Sequence, residues 1–347
     1  MTKTNFGKIK NGVEASLYEI GNSNGMKVAL TDFGATVVSI WVKDKEGKMV
    51  DVVTGYDTAA EYENSTCYFG ATVGRYANRI SDAKVTIEGV EYQLETNDNE
   101  NNLHSGSNGI SEKVWEVKES KDNLITFTCV SKDLEQGFPG NATIDVTYEV
   151  TDDNALSISY KAVSDKTTTF NMTNHSYFNL GGHTSGSIYG HKLWIKASGY
   201  TPVIDSKAIP TGEVAPVAGT PFDFTTPKTV GEEIDADDTQ LSYGAGYDHN
   251  FAIDKETDGV EEVAWLTSPE TGIKMQVYTD CVGIQLYTGN FIGGQVRKGG
   301  VKYAKRDALC LETQFFPNSI NEPNFLTPIT KAGEEFNSKT IYKFSIA

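Results

Sequence analysis

Hydrophobic residues recur at every second position along most of the chain. Val85 and Ile87, then Val90, Tyr92 and Leu94, alternate with polar neighbours on either side of Glu88-Gly89, which predicts a hairpin. Ile144, Val146, Tyr148 and Val150 fall on one face of a strand. Asp152-Asp153-Asn154 predicts a turn, and Leu156, Ile158 and Tyr160 return on the next strand. The pattern repeats at Leu193, Ile195 and Ala197, at Met275 and Val277, at Val282, Ile284 and Leu286, and at the terminal Ile341–Ile346.

Helical periodicity is scarce. Short helices are predicted near Ala59–Tyr62 and Val230–Ile234, and no βαβ rhythm is present. Many short strands joined by turns imply an all-β protein, a large antiparallel β-sandwich. No fixed-period repeat and no Ser/Gly/Pro linker divides the chain, so residues 1–347 read as a single domain. Residues 209–224, from Ile209-Pro210 to Asp223-Phe224, are poor in strand signal and predict a long ordered loop.

Composition narrows the function. Charged residues are 22% and hydrophobic residues 38% of 347, which describes a globular chain. A net charge of −17 argues against nucleic acid and against an anionic membrane, and is compatible with a neutral small molecule. Cys67, Cys129, Cys281 and Cys310 lie far apart without CxxC spacing, so free thiols in a reducing compartment are expected. The stretch Met1–Gly7 has no apolar core of the signal-peptide kind, and a cytoplasmic location is expected.

Phosphate-binding glycine motifs, a nucleophile elbow and clustered metal ligands are all absent from the sequence. The glycines between Gly289 and Gly300 fit none of those spacings. Acid–base chemistry by His and Glu/Asp remains. Among the five histidines, His104 and His175 stand out. His104 lies in a polar loop, and His175 is flanked by amides, hydroxyls and aromatics in Thr173-Asn174-His175-Ser176-Tyr177-Phe178-Asn179-Leu180. His183 and His191 read as surface turn residues, and His249 follows Asp248. Asn78-Arg79 offers an amide and a guanidinium side by side, suited to sugar hydroxyls or to a structural ion pair. Glu312 sits between apolar residues near a predicted strand end, where a carboxylate needs a partner.

Taken in order, Asn78-Arg79, His104, residues 173–180, Ile209-Pro210-Thr211-Gly212-Glu213, Tyr247-Asp248-His249-Asn250-Phe251, Gln285–Phe291 and Leu311-Glu312-Thr313-Gln314 resemble the motifs of the aldose 1-epimerase, or galactose mutarotase, family. The resemblance runs from about residue 5 to the C-terminus. It implies a galactose mutarotase-like supersandwich and interconversion of the α and β anomers of galactose, glucose and related aldoses. It implies Glu312 as the general base on the C1 hydroxyl and His175 as the general acid on the ring oxygen. His104 is then expected near the ring oxygen, and Asn78, Arg79, Tyr177, Asp248 and Gln285 on the sugar hydroxyls. No cofactor or metal is expected, the partner is a small-molecule aldose, and the protein is expected to be a monomer or homodimer. If Glu312 and His175 lie close together, their attraction should raise the histidine's pKa and lower the glutamate's.

Three other readings use some of the same residues. A non-catalytic sugar-binding module would keep Asn78, Arg79 and Asp248 without needing both Glu312 and His175. A hexose-6-phosphate 1-epimerase should carry an extra arginine cluster for the phosphate. A glycoside hydrolase needs two carboxyl groups about 5–9.5 Å apart, for which Asp248 and Glu312 are the candidates.

Overall fold

Alternation fixes which face of each strand is apolar, and the sheets stack to cover those faces. The computed structural model describes residues 1–293 and 297–347; the Gly289–Gly300 run therefore falls partly outside the described residues. A nine-stranded antiparallel sheet forms the back of the molecule. Its centre is Ala142–Val150, Ala155–Ser164, the long C-terminal strand Glu335–Ile346 and Ile273–Thr279. A six-stranded sheet carries Tyr177–Phe178, Leu309–Gln314, Gly283–Tyr287 and Asp248–Ala252 as neighbours in that order. Five N-terminal strands between Thr2 and Asp51 make a third sheet in simple sequence order.

The main core lies where the large sheets meet. Ile144, Val146, Tyr148, Ile158 and Val277 belong to the same buried cluster as Ile284, Leu286, Leu309 and Leu311. Tyr342 pins the two sheets together: its ring packs 4.9 Å from Phe178, and its hydroxyl donates to the Leu311 carbonyl at 3.0 Å. A buried hydroxyl is tolerated in an apolar core only with such a partner.

The hairpin, the 142–164 pair and the terminal strand form as the alternation predicts. A helix forms at Ala59–Glu63, capped by the Thr58 side chain. Residues 230–234 do not form one. Their acidic cluster is taken up in turns, and the helix instead occupies Thr239–Gly244, where Asp238 caps two backbone amides. Residues 209–224 are largely irregular, with turns around 218–222 and a two-residue strand at Ala215–Pro216. No helix among the described residues is long and apolar enough to cross a membrane.

Candidate active site

The six-stranded sheet supplies the floor of one cleft through strand register. In Leu309–Gln314, Leu309 and Leu311 enter the core, so Glu312 points the other way. Gln285 pairs directly with Glu312, and Asp248 pairs with Tyr287 on the next strand. Residues separated by 37 and 27 positions thus become neighbours on one surface. Glu312 lies in mid-strand rather than at a strand end. His175 and Tyr177 arrive from the neighbouring segment, where Tyr177 pairs with Cys310.

Loops build the walls. Asn78 and His104 clasp each other: the Asn78 amide donates to His104 Nδ1 at 3.1 Å, and the His104 amide donates to the Asn78 carbonyl at 3.0 Å. Both take the left-handed backbone region, with φ of 64° and 52°. Arg79 Nε donates to Asp98 at 2.7 Å, and its two Nη groups make no hydrogen bond among the described residues. Asp248 Oδ1 accepts from the Gln285 amide at 2.7 Å.

All eight side chains singled out from the sequence (Asn78, Arg79, His104, His175, Tyr177, Asp248, Gln285 and Glu312) line this cleft. Tyr68, Tyr287, Cys67 and Phe291 line it as well. Tyr68 carries no legible signal, since it stands alone in a turn. Its ring packs 4.8 Å from His104. Tyr177 directs its hydroxyl to the Cys67 carbonyl at 2.8 Å, while its ring stacks 5.0 Å from His175. Its hydroxyl proton is therefore already committed. His183 and His191 stand apart from the cleft. They are not surface residues as expected: His183 is half-buried against the Tyr303 hydroxyl, and His191 is buried, accepting from the Leu180 amide at 3.0 Å.

His175 Nε2 lies 3.6 Å from Glu312 Oε1. Glu312 Oε2 is buried and has no hydrogen-bond partner among the described residues. The electrostatics run opposite to the expected mutual attraction. Burial drives the Glu312 carboxyl well above the usual carboxylate range; Asp248 adds to this and Arg79 opposes it. Burial likewise lowers His175 to about 4, partly offset by a hydrogen bond to its own backbone. Desolvation outweighs pairing because both groups are almost wholly enclosed. Burial thus favours the neutral form of each group.

His104, His175 and Glu312 bring potential metal-ligand atoms within 4.8 Å of one another. The hydrogen bond at His104 does not suit a metal. A backbone amide can only donate, so His104 Nδ1 must accept, and the ring proton sits on Nε2. Burial also pushes His104 well below the ordinary histidine range, which keeps the ring neutral. His104 thus offers the cleft a donor rather than a ligand lone pair.

Comparison with known proteins agrees with this geometry. The family model described as aldose 1-epimerase matches residues 16–343. The chain belongs to the aldose 1-epimerase family. It is 39% identical to the galactose mutarotase of Sus scrofa over 348 residues, covering 100% of this chain and 99% of the other. It is 38% identical to the aldose 1-epimerase of Escherichia coli (strain K12) over 330 residues, 94% of each. The crystal structure of a GalM/aldose epimerase homologue from C. elegans superposes with a TM-score of 0.89 at 31% identity, covering 96% of this chain and 99% of that one. The aldose 1-epimerase family acts on sugars and its members are isomerases, so this chain is an isomerase on a galactose mutarotase-like antiparallel fold.

Proposed function

We propose that this aldose 1-epimerase family member interconverts the α and β anomers of galactose, glucose and related aldoses, with Glu312 and His175 as its proton-transfer pair. The 3.6 Å approach of His175 Nε2 to Glu312 Oε1 carries this reading. Ring opening requires one proton to leave the C1 hydroxyl and another to reach the ring oxygen. Both oxygens are bonded to C1, so the base and acid that serve them must be close neighbours.

The proton count is consistent. The pair holds one proton. With it on His175, Glu312 is a carboxylate that takes the C1 hydroxyl proton while His175 protonates the ring oxygen. The C1–O5 bond breaks and a carbonyl forms at C1. The pair is then glutamic acid and neutral imidazole, the state that burial favours. Rotation about C1–C2 presents the other carbonyl face, and both transfers reverse on closure. Each positioned transfer contributes roughly 10²–10⁴ in rate. His104 Nε2–H is the donor to the ring-oxygen side. Arg79 Nη, the side-chain Nδ2 of Asn78, Asp248 and Gln285 hold the remaining hydroxyls. Tyr177 orients His175 through ring contact and keeps only a lone pair for the sugar. No step draws on a cofactor.

Arg79 is the one cationic side chain among the described lining residues, and Asp98 already partners it. This favours a free sugar over a sugar phosphate. The chain works as one domain, since its main core cluster runs from Tyr18 to Phe344. One chain supplies every group of the cleft, which suits a monomer or homodimer. Four free cysteines, three of them buried, favour a reducing, cytoplasmic setting. Polarimetry on freshly dissolved α-D-galactose tests the reading: the protein should speed the approach to equilibrium rotation, with glucose 6-phosphate competing poorly. A rate equal to that of buffer would defeat it.

A further inference from the structure

Asp248 is held from two sides. On the cleft side it accepts from Gln285. On the core side, alternation turns the next residue, His249, inward, where it is 1% exposed. The His249 ring folds back on its own strand, and Nδ1 accepts the Asp248 backbone N–H at 3.2 Å. That amide can only donate, so the ring proton is on Nε2, which lies 3.3 Å from Gln240 Oε1. Burial takes the ring's pKa down to about 3, so it stays neutral. Phe222 and Tyr200 meet the ring edge-on at 4.7 and 6.1 Å and fix its plane.

Gln240 is equally constrained. Its Oε1 accepts from Val203 N at 2.7 Å and its Nε2 donates to Val203 O at 2.9 Å. Its own amide is capped by Asp238 at the start of Thr239–Gly244. Gly244 lets this helix approach: a Cβ there would stand 3.3 Å from the His249 ring. Beyond Val203 the same loop sends Lys207 to Glu100 at 2.5 Å, next in the chain but one after Asp98, the partner of Arg79.

We propose that His249, oriented by Gln240, is a positioning residue that sets Asp248 for the sugar, and that this chain couples the cleft to the loop around Val203. The inference rests on Asp248 being a sugar ligand. His249 touches no reacting atom, so its loss acts on recognition more than on proton transfer.

Steady-state kinetics and calorimetric galactose affinity on the full chain test this. His249→Phe keeps a ring and removes both hydrogen bonds. It should raise KM and Kd by roughly five- to tenfold and leave kcat within about twofold. His249→Asn returns an acceptor to the Asp248 amide and should recover most of the affinity. Gln240→Leu should weaken binding by a smaller factor, and it keeps the test alive if the phenylalanine variant fails to fold. In an Asp248→Asn background, His249→Phe should add less than about twofold, because its route to the sugar is gone. Full additivity there, or a fall in kcat with KM unchanged, would overturn the proposal. The two readouts also separate the two ideas: absent turnover in the unaltered protein defeats the epimerase reading, whereas unchanged affinity in the folded His249→Phe variant defeats this one.

Discussion

Glu312 is the residue whose stability and function pull in opposite directions. Its carboxyl is enclosed, one oxygen is unpartnered, and burial favours the protonated form. A folded-state pKa above the ordinary 4.5 means that the folded chain binds the proton more tightly than the unfolded chain. Stability is then greatest below the ordinary carboxylate value and is lost as pH rises through the raised one. Glu312→Gln removes this term while keeping the shape. Its Tm should exceed that of the unaltered protein, by a margin that is wider at pH 8 than at pH 5, as scanning calorimetry can measure. An equal margin at both pH values would mean that Glu312 is ionised without penalty in the fold. The position was legible in the sequence as a carboxylate among apolar neighbours. Its raised pKa was not, because desolvation depends on what covers it, and Asp248 and the His175–Tyr177 pair come from two other segments.

At the scale of elements, loops are tied to sheets by buried polar groups, and this was the least legible part. The alternation of Leu309–Gln314 and Gly283–Tyr287 predicts which residues share a face, but the partner strand is set by three-dimensional pairing. Helix placement failed at 230–234 for a local reason: a capping aspartate at 238 begins the helix further on. Lys298 shows such a tie. It forms a buried ion pair with Asp51 at 2.7 Å and donates to the Val38 and Val53 carbonyls at 2.8 Å, anchoring a turn beyond Phe291 and Ile292 to the N-terminal sheet. Lys298→Met leaves Asp51 buried without its cation and should cost about 3–5 kcal/mol in urea unfolding. Lys298→Met with Asp51→Asn should cost less than the sum of the single changes. Strict additivity would show that the two charges are not coupled.

Across the whole molecule, four buried histidines share one behaviour. Burial lowers His175 and His191 to about 4 and His249 to about 3, and pushes His104 well below its ordinary value. For a group with a lowered folded-state pKa, the unfolded chain takes the proton first. The stability is present above the ordinary value of 6.5 and is lost as pH falls from there toward 4. Tm should therefore drop between pH 6.5 and 4.5, and His191→Gln, whose site is remote from the cleft, should lessen the drop. A flat profile over that range would contradict the buried neutral state. The central claim is that Glu312 and His175 open the sugar ring together. Polarimetry of α-D-galactose with Glu312→Gln tests it most directly: the account predicts a folded variant that still binds galactose and has lost roughly 10²–10⁴ in kcat, and near-normal turnover in that variant would contradict it.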